Sequence, residues 1–236
     1  MPEARRTIDL NADAGEGGDD AALAPFITSV SVACGGHEGD AASMRRTLEL
    51  AAAHGLRAGA HPSYPDREGF GRRHLEIAGP ELAASVEAQV GSLRDVAREV
   101  GVELTHVKAH GALYNDMWDD AALAAAFAAA VARVLPAARL VVPAVSAARR
   151  AAGPAALAEV FLDRRYAPDG RLLARTEPGA VLAEPAEIGS QLARLASVEF
   201  QTMCVHGDNP AAAVLLRAAR AELGARGWRV APYGLP

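Results

Sequence analysis

The chain has 236 residues, half of them hydrophobic and 22% charged, a composition that excludes an intrinsically disordered protein and suffices to bury a core without disulfides. Its 24 basic and 29 acidic side chains leave a net charge of −5, the wrong sign for a protein that coats nucleic acid or an anionic membrane. No apolar run reaches the roughly 18 residues of a membrane span, the first residues lack a leader's apolar core, and two cysteines suit a reducing cytoplasm.

The first predicted strand, 7–12, is polar on one side only: Asp9 and Asn11, continued by Asp13, alternate with Ile8, Leu10 and Ala12. A second strand, 29–34, ends in Cys34 and leads to a helix near 39–54, with His54 in its last turn and Gly55 as its stop. A third strand, 56–60, runs into His61. After a polar loop holding His74, a long helix covers 80–100 and stops at Gly101. The fourth strand, 104–109, carries His106 and Lys108, with His110 next, on one face and Thr105, Val107 and Ala109 on the other. A helix over 119–134 presents Leu123, Phe127, Val131 and Val134 at helical spacing behind the cap residue Asp119. Strand 139–143, helix 145–152, strand 159–163, helix 184–196, strand 201–206 and helix 210–226 complete the alternation, and 228–233 adds one further short strand.

Seven strands alternating with helices predict an α/β fold with a parallel sheet, either closed as a (β/α) barrel or open and doubly wound. An open parallel sheet is covered on both faces and reads as continuous apolar runs. Here the first and fourth strands alternate, which predicts a barrel with a polar lumen. No linker, charge block or repeat divides the chain, so 1–236 is expected to be a single domain.

Polar clusters fall at the carboxyl ends of five predicted strands: Asn11 to Glu16, Cys34 to Asp40, His61 to Ser63, His106 to Gly111 and Cys204 to Asp208. That end carries the active site in (β/α) barrels. Of the 24 basic residues only Lys108 is lysine, which predicts a place where a guanidinium cannot replace an ammonium. Asp9, Asn11 and Asp13 lie about 6–7 Å apart along one strand face, and buried carboxylates need a partner. Lys108 is one candidate partner and a metal is the rival, with Asp13, His37, His61 and His206 as candidate ligands; both readings stand. His106 and His110 are not expected to chelate, being about 13 Å apart on a strand. His54 and His74 read as structural. The loop Glu68-Gly69-Phe70-Gly71-Arg72-Arg73 fits an anion. A P-loop, a G-x-S-x-G elbow and a C-x-x-C pair are all absent from the sequence.

The runs Ile8-Asp9-Leu10-Asn11-x-Asp13-x-Gly15-Glu16, Ala33-Cys34-Gly35-x-His37-x-Gly39-Asp40, Gly59-Ala60-His61-Pro62, Gly69-Phe70-Gly71-Arg72-Arg73, His106-Val107-Lys108-x-His110-Gly111-Ala112-Leu113-Tyr114 and Cys204-Val205-His206-Gly207-Asp208 resemble the LamB/YcsF family, in order and over nearly the whole chain. Two departures stand out. Gly17-Gly18-Asp19-Asp20 replaces a longer loop after Glu16, and Gly36 stands where family members often carry a larger residue.

The resemblance implies a seven-stranded (β/α) barrel similar to glycoside hydrolase/deacetylase barrels. It also implies the A subunit of 5-oxoprolinase, which cleaves 5-oxoproline to L-glutamate coupled to ATP hydrolysis, together with subunits B and C. ATP, with magnesium as its divalent metal, is the expected cofactor. Asp13, Lys108, His110 and Asp9 are then the candidate catalytic groups. Asn11, Glu16, His37, His61, Arg72, Arg73, His206 and Asp208 are candidates for holding substrate and phosphate. Two alternatives remain: a metal-dependent deacetylase or amidohydrolase of the same barrel type, and a non-catalytic 5-oxoproline-binding subunit.

Overall fold

The computed structural model describes residues 6–234; the ends of the expected 1–236 unit, residues 1–5 and 235–236, lie outside the described residues. Seven parallel strands pair in sequence order: β1 (Thr7–Ala14), β2 (Ser29–Ala33), β3 (Arg57–His61), β4 (Leu104–Lys108), β5 (Arg139–Pro143), β6 (Leu157–Phe161) and β7 (Thr202–Cys204). β1 bonds to both β2 and β7, which closes the sheet into the expected barrel. The further strand, β8 (Arg229–Val230), pairs with Thr7 and Ile8 at the start of β1, outside the closure.

Helices α1 (Asp20–Leu23), α2 (Ala41–Ala53), α3 (Gly79–Val100), α4 (Gly111–Asp116), α5 (Ala121–Val134), α6 (Ala147–Ala152), α7 (Ile188–Arg194) and α8 (Ala212–Ala225) surround the strands. Their positions follow from caps and periodicity. Asp40 and Ser43 exchange hydrogen bonds as a capping box at the start of α2. α3 buries Leu82, Val86, Val90, Leu93 and Ala97 at helical spacing, and Gly101 ends it at a φ of 72°. None of the helices among the described residues is long and apolar enough to cross a membrane.

Two expectations are corrected. α4 follows His110 directly and is too short for a periodic signal. The sixth strand runs two residues earlier than 159–163, because Arg164 pairs antiparallel with Val181 and draws the chain after Phe161 into an excursion over the barrel mouth.

The side of β1 that carries Ile8, Leu10 and Ala12 lies in the apolar core, while Asp9, Asn11 and Asp13 bond to residues across the lumen. Tyr233 closes the lumen's amino end, with its Oη 2.9 Å from His106 Nδ1 and 2.7 Å from Thr105 Oγ1. Gly59 is required opposite: a Cβ there would stand 2.4 Å from the His106 ring. Burial and the nearby Lys108 charge pull the His106 pKa down to about 3, so the ring is neutral.

Candidate active site

At the carboxyl end of β4 the Lys108 ammonium sits 2.8 Å from Asp13 Oδ1 and 3.0 Å from Glu159 Oε1, with all three side chains at most 3% exposed. It also donates to Cys204 Sγ at 3.2 Å. Glu159 is held in turn by the Tyr114 hydroxyl at 2.8 Å and the Asn11 amide at 3.0 Å. Burial alone would lower the Lys108 pKa, but the charge of Asp13, with Cys204 and Glu159, holds it well above the ordinary range. For Asp13 burial pulls upward, and His61 and Lys108 outweigh it, so its pKa lies well below the ordinary carboxylate value. The result is an ionised pair in a dry floor.

Beside this floor, four residues at or just past the ends of β1, β2, β3 and β4 converge: Glu16, His37, His61 and His110 place one ligand-type atom each within 4.8 Å of the others. Glu16 Oε1 lies 2.9 Å from His37 Nε2, 3.2 Å from His110 Nδ1 and 3.7 Å from His61 Nε2. Despite its burial, the neighbouring His110 and His37 keep the Glu16 pKa below the ordinary value. Burial lowers the pKa of His37 and of His110, against the pull of Glu16. His61 Nδ1 donates to the Lys108 carbonyl at 2.8 Å, and His110 Nε2 donates to the Phe70 carbonyl at 2.9 Å. Phe70 delivers that carbonyl from a left-handed conformation, φ 55°, rare for a bulky residue. Gly71 follows at φ 64°, where a Cβ would come within 3.0 Å of His37, His110 and Ser63.

Above the floor opens a cavity of about 520 Å³ whose wall carries Arg72, Arg164, Arg171 and Arg175. The volume suits a small-molecule site. Asp208 pairs with Arg72 and, at 3.5 Å, with Arg175. Arg164 is 6% exposed and donates to the Leu173 carbonyl at 2.6 Å, yet its Nε is buried without a partner among the described residues. Burial, aided by the charge of Arg175, lowers the Arg164 pKa to about 10. His206 stacks on Phe161 and has its Nδ1 2.9 Å from Asp163. Burial would raise the Asp163 pKa, but the partnership with His206 brings it below the ordinary value.

Of the residues singled out from sequence, Asp13, His61, Arg72, Lys108, His110 and His206 line this cavity. Glu16 and His37 stand immediately behind them, and Asp208 holds two of the rim arginines. Asp9 and Asn11 do not reach it. Asp9 lies about 13 Å lower on β1, where its carboxylate accepts from Thr28, Ser29 and Thr202 at 2.8, 2.7 and 2.5 Å. Asn11 donates to Glu159 and Thr202. Arg73 points to the surface and pairs with Asp66. His206 stands apart from the histidine cluster, so it is no ligand beside His37 and His61. Asp13 adjoins that cluster, its Oδ2 3.4 Å from His61 Nε2. His106 and His110 do sit in separate groups. Gly36 does not shape the cavity: its α-carbon packs on Gln89 and Ser63.

Sequence reasoning missed Glu159 and Tyr114. Glu159, Phe161 and Asp163 repeat the period-two pattern of Asp9, Asn11 and Asp13, and the same test would have found Glu159. The run Asp163-Arg164-Arg165-Tyr166, followed by Asp169-Gly170 and Arg175, reads from sequence as part of the site or of a partner surface, and Arg164 and Arg175 line the cavity.

Residues 8–235 match the family described as LamB/YcsF. A protein of Methylococcus capsulatus, named as the A subunit of 5-oxoprolinase, is 45% identical over 97% of this chain and 96% of its own length. A protein of Pseudomonas syringae pv. tomato that carries the same A-subunit name is 42% identical, over 97% and 98% of the two chains. Among solved structures, the lactam utilization protein of Thermus thermophilus superposes with a TM-score of 0.87 at 34% identity, covering 96% of this chain and all of that one. A family 4 carbohydrate esterase from Streptomyces lividans shares only the fold, with a TM-score of 0.54 at 11% identity over 96% and 92% of the two chains.

Proposed function

Since the chain belongs to the LamB/YcsF family, we propose that it is the A subunit of a 5-oxoprolinase. In this reading it opens the ring of 5-oxoproline to L-glutamate, coupled to ATP hydrolysis, in a cytoplasmic assembly with B and C subunits. One observation carries it: a buried ammonium held between two carboxylates at the base of an arginine-walled cavity. The names of the relatives support the same substrate.

A five-membered lactam is an unstrained amide with a poor leaving group. Transfer of the terminal phosphoryl of ATP to the amide oxygen activates the ring carbon and releases ADP. Water then adds to that carbon, its proton passing to Asp13. Asp13 returns a proton to the ring nitrogen as the carbon–nitrogen bond breaks. The product is an acyl phosphate, and a second water cleaves it to glutamate and phosphate. Lys108 offsets charge on the activated oxygen, and a preorganised cation in a water-poor site is effective at this. The unpartnered Nε of Arg164, with Arg72 and Arg175, suits the substrate carboxylate or the phosphoryl group. Magnesium accompanies ATP and needs no dedicated protein cage.

The test is glutamate and ADP formation from 5-oxoproline by the purified chain alone and with B and C. Turnover that requires ATP and all three chains is the expected result. Full turnover by this chain without ATP would replace the proposal with a simple amidohydrolase. Binding of 5-oxoproline without turnover in any mixture would leave only a binding role.

A further inference from the structure

The histidine cluster poses a problem of protons. His61 Nδ1 and His110 Nε2 each face a backbone carbonyl, so each carries its ring's hydrogen there. The remaining nitrogens, His61 Nε2 and His110 Nδ1, then both present lone pairs, and they face each other at 3.0 Å. Glu16 Oε1, another acceptor, is 3.2 Å from His110 Nδ1 and 3.7 Å from His61 Nε2. Three buried acceptors aimed at one point repel unless a cation stands among them.

We propose that Glu16, His61 and His110 bind a divalent transition ion, zinc being the best match to two imidazoles and a carboxylate. Ligand atoms about 2.0–2.1 Å from a tetrahedral ion stand roughly 3.3 Å from one another, and the separations of 3.0, 3.2 and 3.7 Å bracket that value. The ring planes agree. His61 and His110 meet at 88°, which lets both lone pairs address a shared point. His37 does not join them: it lies parallel to His110, at 3° and 3.7 Å, so its lone pairs run beside those of His110 instead of converging with them. Its Nε2 is placed to donate to Glu16 at 2.9 Å and orient the carboxylate, while its buried Nδ1 has no partner among the described residues. The two ring hydrogens held by backbone carbonyls are the outer bonds that fix metal-ligating imidazoles. Three protein ligands leave a fourth position, on the side where Asp13 Oδ2 stands 3.4 Å from His61 Nε2.

This site rests on side-chain geometry and is read by metal content, so it holds or fails independently of the ring-opening reaction. Metal-stripped protein is titrated with Zn²⁺ by calorimetry and with Co²⁺ while the visible spectrum is followed. Expected are one ion per chain, ligand-field bands of a low-coordinate Co²⁺ site, and a rise in Tm on binding. His61→Asn or His110→Asn weakens binding by more than about a hundredfold, and His37→Gln by about 10–100-fold. His74→Gln on the surface and His206→Asn beside Asp163 leave the affinity unchanged. If a ligand variant fails to fold, the wild-type Co²⁺ spectrum and its loss in Glu16→Gln decide the question. No stoichiometric Zn²⁺ or Co²⁺, together with ¹⁵N NMR showing an imidazolium at His61 or His110, overturns the proposal. Binding that survives both histidine substitutions overturns it equally.

Discussion

Two layers of one lumen, four residues apart on β1, each bury an aspartate and treat it in opposite ways. Asp9 in the lower layer is surrounded by the hydroxyls of Thr28, Ser29 and Thr202, and its pKa is raised because burial outweighs those hydrogen bonds. Asp13 in the upper layer is buried as deeply, yet its pKa falls, because the neighbouring His61 and the Lys108 ammonium outweigh burial. Neutral donors satisfy a carboxylate's geometry and leave most of its charge uncompensated; a cation answers both. The lower layer is therefore scaffold, closed beneath by Tyr233 and His106, while the upper layer is a charged floor that opens into the cavity.

Substitutions at Lys108 test this division most severely. Lys108→Met strands Asp13 and Glu159 as buried, uncompensated carboxylates. The expected loss is about 3–5 kcal/mol in chemical denaturation, with turnover abolished. Lys108→Arg keeps the charge and the fold by circular dichroism, but the larger planar head cannot fit between both carboxylates. It should lower turnover by at least about a hundredfold, on the order of 3 kcal/mol in the barrier. Near wild-type turnover in Lys108→Arg would erase the distinction between the layers.

Asp13→Asn comes next: a near-isosteric change expected to cost about 10²–10⁴-fold in kcat, the usual worth of a general base, with Tm almost unmoved. At the rim, Arg164→Lys removes the unpartnered Nε, and KM for 5-oxoproline should rise about tenfold, in keeping with one lost charge-assisted bond.

The lower layer supplies the contrast. Asp9→Asn should cost about 1 kcal/mol in stability, one hydrogen bond's worth, and leave turnover per folded molecule unchanged. A carboxyl whose folded pKa is raised contributes stability that is fully present below its unfolded value, about 3.9. That contribution is lost as pH rises through the raised folded value. Over that interval, denaturation curves should show wild-type stability declining relative to that of Asp9→Asn, which has no proton to lose there. An identical pH profile for the two would mean Asp9 is not the titrating group. Smallest of all, Arg73→Ala on the surface should leave turnover where it is, since neither Arg73 nor its buried partner Asp66 lines the cavity.

Much of this was legible because a barrel strand writes its two faces into alternate letters. Asp9, Asn11 and Asp13 on β1, and His106 and Lys108 on β4, announce a polar lumen by their spacing alone. Alternation does not say how high on the strand each side chain sits relative to the cavity, so Asp9 reads like Asp13. The excursion after β6 is another matter. Arg164, Arg171 and Arg175 reach the cavity through a chain path fixed by two isolated bridges, Arg164 to Val181 and Tyr166 to Leu172, and no periodic pattern encodes such a path. The cluster of Glu16, His61 and His110 is likewise spread over 95 positions of sequence, and only closure of the sheet brings it together.

The pairing of β1 with β7 also sets the order in which this protein comes into being. Asp9 finds Thr202 across 193 positions, so the first strand leaves the ribosome long before its second neighbour exists. Until then β1 can join only β2, and its other edge stays open to other chains. Joining residues so far apart in sequence is intrinsically slow. The last seam of the barrel is therefore sewn only after nearly the whole chain has been synthesised, and β7 is the strand whose absence would turn a nascent chain into an aggregating one.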